Sequence, residues 1–210
     1  MKMYINNIEK SKDYYIQLSL EYASLFEKDI DFFLFVNCVI DRAVNINRGF
    51  ISLTKDDNYA CAIPLMRMMI DKCIRLWGIT LVDDAHKYIK VWSNGEKIAN
   101  LKDRNGKRLT DFYMSQQFSL LYSDIDIIYK DACGFVHLSE QNLYMTAKRG
   151  VGKRKVELTV DGNDNLPNEV KCNIDKWMLY LNNILVDLIR RIFPIKPLVR
   201  LDLQSSRGGI

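Results

Sequence analysis

Glycine and proline are scarce in this chain, 10 and 4 of 210 residues, which leaves little material for the tight turns of an all-β fold. Histidine is scarcer still: His86 and His137 are the only two, so imidazole proton transfer near neutral pH has two places to happen. None of the metalloprotease, serine-hydrolase, dinucleotide or Walker-type motifs occurs; Gly150-Val151-Gly152-Lys153 resembles a phosphate loop but lacks the Ser/Thr after its lysine. The five cysteines, Cys38, Cys61, Cys73, Cys133 and Cys172, are odd in number and never spaced CxxC. That usage predicts reduced, buried thiols and no zinc site built from them. No metal and no cofactor are expected. The most apolar run, Phe32 to Ile40, is far shorter than the ~20 residues a bilayer span requires. Met1 to Asn7 leads into charged residues without a signal-peptide core. The expected compartment is the cytoplasm, with no membrane partner.

What is present is ordinary globular material. Hydrophobic residues make up 48% and charged residues 27%, enough apolar surface to drive a packed core. The net charge of +4 is too mild for a dedicated nucleic-acid binder unless it is concentrated in one place. Ile8, Tyr15, Leu18, Tyr22 and Leu25 follow a helical three-four alternation that Asp29 to Asp31 interrupts, and Phe32, Phe35, Val39, Ala43, Ile46, Phe50 and Leu53 resume it. Asp56-Asp57-Asn58 ends that second helix and can cap a third, which carries Leu65, Met69, Cys73 and Leu76 and stops near Gly78. Pro64 either opens this third helix at its first turn or kinks it. A short helix is expected around Asp83–Trp92, turns at Asn94-Gly95 and Asn105-Gly106, and an exposed loop over 102–108. Thr110-Asp111 begins a long helix with Phe118, Leu121, Ile125, Ile128, Ala132 and Phe135 inward, ending close to His137. Leu143 to Ala147 and Val156 to Val160 are β-like and flank a basic tip. A last helix carries Val170, Ile174, Trp177, Leu181, Ile184 and Leu188 and is closed by Pro194 and Pro197. The predicted fold is mostly α: a single helical-bundle domain over residues 1–200, of about five to seven helices, with a small β-hairpin near residues 143–160 and a flexible tail at 201–210.

Three constellations could carry chemistry. Arg67 and Asp71, four residues apart, share a helix face. They serve either as a docking ion pair or as an anion-binding arginine with its orienting carboxylate. His137 falls in the last turn of a helix, where it either caps the final carbonyls or acts as general acid and base. Tyr129 and Cys133 share roughly its face, and Lys130 lies two turns back, where it could bind phosphate. His86, on a polar short helix, is expected to be exposed. Lys148, Arg149, Lys153, Arg154 and Lys155 form the densest basic cluster, either a solvated hairpin tip or a nucleic-acid contact with steep salt dependence.

The Leu65-x-Arg67-x-x-x-Asp71 helix, the helix ending Tyr129 to Phe135-Val136-His137-Leu138-Ser139, the hairpin and the final helix resemble an uncharacterised bacterial all-helical family over roughly residues 30–192. More distantly the chain is similar to HEPN-type helical bundles, whose nuclease motif is arginine, four to six residues, then histidine. Lys130 stands at the arginine position, with six residues between it and His137, keeping the charge without the bidentate fork. The resemblance implies a bacterial stress or defence setting, with Arg67 supplying the guanidinium from another helix. Two functions follow as expectations. One is a non-enzymatic helical interaction module, a homodimer or the binder of another protein, with a buried Arg67–Asp71–His137 network. The other is a metal-independent ribonuclease or RNA-processing component using His137, Arg67, Lys130 and Asp71.

Overall fold

The computed structural model describes residues 2–25, 27–137, 140, 143, 146–149, 156–158 and 166–194. Seven α-helices lie among them: α1 (Lys2–Glu21), α2 (Ile30–Lys55), α3 (Tyr59–Gly78), α4 (Ala85–Ser93), α5 (Asp111–Ser119), α6 (Asp124–Val136) and α7 (Asn168–Ile192). The molecule is a helical bundle. Two three-residue strands, β1 (Ala147–Arg149) and β2 (Val156–Leu158), pair antiparallel with Lys148 opposite Glu157. Leu143 and Thr146, expected in the first strand, are helical; the remainder of the 143–160 segment, including the tip at 150–155, falls outside the described residues, as does the tail at 201–210.

Local chemistry sets the helix boundaries. Asp29 accepts a hydrogen bond from the Phe32 N–H and opens α2; Asn58 does the same for the Cys61 N–H and opens α3. Asp84 and Thr110 cap α4 and α5. Gly95 and Gly106 take left-handed φ values of 71° and 80°, which explains glycine at those two turns. Pro64 lies inside α3, five residues after Tyr59, so the helix begins earlier than the proline and runs through it.

α3 is the central element, packed against α2, α5, α6 and α7, while α1 rests on α2 and α7. Ile8, Tyr15, Leu18 and Tyr22 from α1 and its following turn are all fully buried, as their spacing predicts. Gly78 closes α3 for a packing reason. A Cβ there would stand 2.8 Å from Met114 Sδ and 2.9 Å from the Tyr88 hydroxyl, so α4 and α5 can approach α3 only over a bare backbone.

Three expectations need correction. The long helix predicted from Thr110 to His137 is two helices. The Leu121 and Tyr122 amides both bond to the Phe118 carbonyl at the end of α5. The Tyr122 hydroxyl then reaches Asp187 on α7 at 3.1 Å, and Leu121, expected inward, is exposed. The inward face at the start of α7 is polar: Lys171 and Asp175 are buried while Val170 is exposed. Lys171 is satisfied by Asp57 at 2.6 Å, and Asp175 by the Tyr59 hydroxyl at 3.2 Å, so burial there follows partners and not hydrophobicity. Of the five cysteines only Cys73 is buried; Cys38 and Cys61 are exposed.

Candidate functional site

Arg67 leaves α3 toward α6, and α6 presents Tyr129 and Cys133, one turn apart, to receive it. The guanidinium carbon sits 3.8 Å from the Tyr129 ring centroid, a cation–π contact. Nε donates to Cys133 Sγ at 3.2 Å. Nη2 donates to the Tyr129 hydroxyl, and Nη1 pairs with Asp71, one turn along α3. Two of the guanidinium nitrogens, Nε and Nη2, are therefore engaged across the α3–α6 interface, while Nη1 is ion-paired within α3. The Arg67 side chain is 17% exposed and that of Asp71 40%.

Electrostatics favour this arrangement. Burial works against the Arg67 charge, but its hydrogen bonds to Asp71 and Cys133 and the Asp71 charge outweigh it and raise the pKa. Burial also raises the Tyr129 hydroxyl, against the opposing pull of Arg67. Tyr129 is held as a neutral phenol that both stacks on the guanidinium and accepts from it.

His137 lies one turn past Cys133 as the C-cap residue of α6. Its backbone is already extended, with ψ of 150°, and its N–H donates to the Cys133 carbonyl at 3.2 Å. The residue is exposed. The network expected to be buried is thus half-buried at Arg67 and exposed at His137, which lies just past the end of α6 at Val136. Lys130 pairs with Asp126 at 2.6 Å on the exposed side of α6, apart from the contacts of Arg67. The structure brings Arg67 and Asp71 together, adds Tyr129 and Cys133, and leaves Lys130 outside. Lys148 and Arg149 lie in β1; Lys153, Arg154 and Lys155 fall outside the described residues. The exposed His86 rests its ring edge-on against Phe32, centroids 4.7 Å apart, with Nε2 3.6 Å from Asp29.

Sequence reasoning missed the role of Tyr129 and Cys133 as the seat of Arg67. Their four-residue spacing on α6, matching that of Arg67 and Asp71 on α3, was the available signal. It also missed Asp175, whose surroundings are contributed by distant residues. Among the described residues no group of three or more His, Cys, Asp or Glu side chains could hold a metal ion. No described helix is long and apolar enough to cross a membrane. Comparison with family models, with curated proteins and with solved structures finds no match to the chain.

Proposed function

We propose that this chain is a non-enzymatic helical interaction module that pairs with a second copy of itself through α5 and α6, with Arg67 and Asp71 as its internal lock. The observation that carries this reading is the commitment of Arg67: Nε and Nη2 are hydrogen-bonded to Cys133 and Tyr129, and Nη1 faces Asp71 in an ion pair. A guanidinium held in this way stabilises the α3–α6 contact and is not offered to a phosphate.

The outer surface of the same region supplies the docking face. Leu120 is 79% exposed and Ile127 56%, with Phe112, Leu121 and Val136 also exposed, more large apolar area than an isolated surface helix ordinarily leaves in water. Charges of both signs, Asp126, Lys130 and Asp131, surround Ile127. A mixed-sign face of this kind can meet its own two-fold copy with opposite charges facing, which suits an isologous dimer.

Sedimentation equilibrium over a wide concentration range tests the reading. Wild type is expected to dimerise reversibly, and a Leu120→Lys, Ile127→Lys variant to remain monomeric with an unchanged helical spectrum. A wild type monomeric throughout overturns the proposal. The exposed imidazole of His137 favours a second reading, the HEPN-like ribonuclease, which is addressed in parallel by incubating wild type and His137→Ala with total RNA. The interaction module predicts no cleavage by either protein; cleavage by wild type alone would establish the nuclease instead.

A further inference from the structure

A separate pocket opens between α2, α3 and α4. Its walls include Phe35, Tyr88 and Trp92, and its polar lining comes from three cations, Arg42, Lys72 and Arg75. No carboxylate lines it. Arg75 shares one guanidinium nitrogen with Asp111 at 3.1 Å. Among the described residues Arg42 and Lys72 form no ion pair.

Arg42 and Arg75 are exposed and Lys72 is half-buried between them, so the repulsion among these like charges is felt most at Lys72, and an anion would relieve it. Lys72 registers that cost: burial, then the charges of Arg42 and Arg75, lower its pKa, with Asp71 opposing. Asp111 offsets Arg75, and Asp71, already paired with Arg67, acts on Lys72, so the three cations keep a net positive charge that suits a phosphomonoester dianion. Two of the three cations are guanidiniums, whose planar forks suit phosphate oxygens.

Size narrows the ligand. The cavity volume is about 60 Å³, room for on the order of four waters at roughly 15 Å³ each. That accommodates a tetrahedral oxyanion but not a whole nucleotide. Any organic portion must lie at the mouth, where Trp92 is 37% exposed and is fixed edge-on against Phe35 with centroids 4.9 Å apart.

We propose that this pocket is a binding site for a small phosphomonoester, its phosphate held by Arg42, Lys72 and Arg75 and its organic group resting against Trp92. The site is independent of the α5–α6 face, and none of its variants touches the residues that would mediate pairing.

Calorimetric titration with phenyl phosphate, inorganic phosphate and sulfate at matched ionic strength tests the assignment. Phenyl phosphate is expected to bind saturably and more tightly than inorganic phosphate, and inorganic phosphate more tightly than sulfate. Arg42→Gln and Lys72→Gln, with helical content checked by circular dichroism, should each weaken phenyl phosphate about tenfold, the loss expected for one charge-assisted contact. Trp92→Leu should abolish the advantage of phenyl phosphate while leaving inorganic phosphate in place. No saturable binding, equal affinity in wild type and both cation variants, or equal affinity for all three anions, which would mark an adventitious ion only, each overturns the proposal.

Discussion

Asp175 carries the largest local contradiction in the molecule, a carboxylate with no exposed surface whose side chain is hydrogen-bonded by the Tyr59 hydroxyl. Burial pushes its pKa from the usual 3.8 up to about 6, against the stabilising bond from Tyr59. A raised carboxylate pKa reverses the common pH dependence. Between about pH 4 and 6 the folded state holds a proton that the unfolded chain has released, so the contribution is complete below the unfolded pKa and is lost as pH rises through the folded one. Wild-type stability relative to Asp175→Asn should therefore fall by about 1–3 kcal/mol between pH 4 and pH 7. Urea unfolding of both proteins at several pH values measures it. A constant difference across that range would mean that Asp175 titrates normally. Nothing in the spacing of the α7 residues announces this, because Tyr59 is 116 positions away.

At the scale of elements, the termini were legible and the interiors less so. Asn58 and Thr110 act as N-caps where the sequence reading starts the helices, and Asp29 and Asp84 cap α2 and α4 by the same local chemistry, since a cap needs only neighbours two or three residues along. The end of α3 at Gly78 was legible too, but for a different reason than a stop signal. Gly78 has ordinary helical dihedrals, with φ of −53°, so it is required for space and not for conformation. Gly78→Ala pits two effects against each other. Alanine raises helix propensity by up to about 1 kcal/mol, while the overpacking against Met114 and Tyr88 costs about 1–3 kcal/mol. The clash should win, lowering the urea midpoint; an unchanged or higher midpoint would show that α4 and α5 can yield. The division of α5 from α6 was not legible, because the apolar pattern continues through Leu120 and Leu121 and the departure is set by Tyr122 reaching Asp187, 65 residues away.

At the scale of the whole molecule, one buried polar node ties the first, second and last long helices. Asn47 on α2 and Asn182 on α7 exchange amide hydrogen bonds of 2.6 and 3.1 Å, and the Tyr15 hydroxyl on α1 adds a third at 2.9 Å to Asn182. Both asparagines are buried. Removing either breaks both reciprocal bonds, although Asn182 keeps Tyr15 and the Met178 carbonyl and Asn47 keeps Ser11, a cost of about 1–3 kcal/mol. Asn47→Ala and Asn182→Ala should each destabilise to that extent, and the double variant by clearly less than the sum. A double-mutant cycle by chemical denaturation reads the coupling, and additivity within about 0.5 kcal/mol would deny the node. Such a node also fixes the register in which α1, α2 and α7 meet, since sliding one helix by a turn would strand every member.

The helical class, the caps and most of the apolar stripes were determined by the sequence alone, because periodicity and capping act over one or two turns. The same holds for the pairing of Arg67 with Asp71, which depends only on helix pitch. Tertiary structure alone decided that Arg67 is received by Tyr129 and Cys133, that Lys130 turns to Asp126, and that His137 faces solvent. It also decided that Arg42 on α2 joins Lys72 and Arg75 on α3 at one pocket. Each of these is a contact between separate helices, or follows from where the chain turns. Their geometry is set by how the helices pack and not by any local pattern of residues.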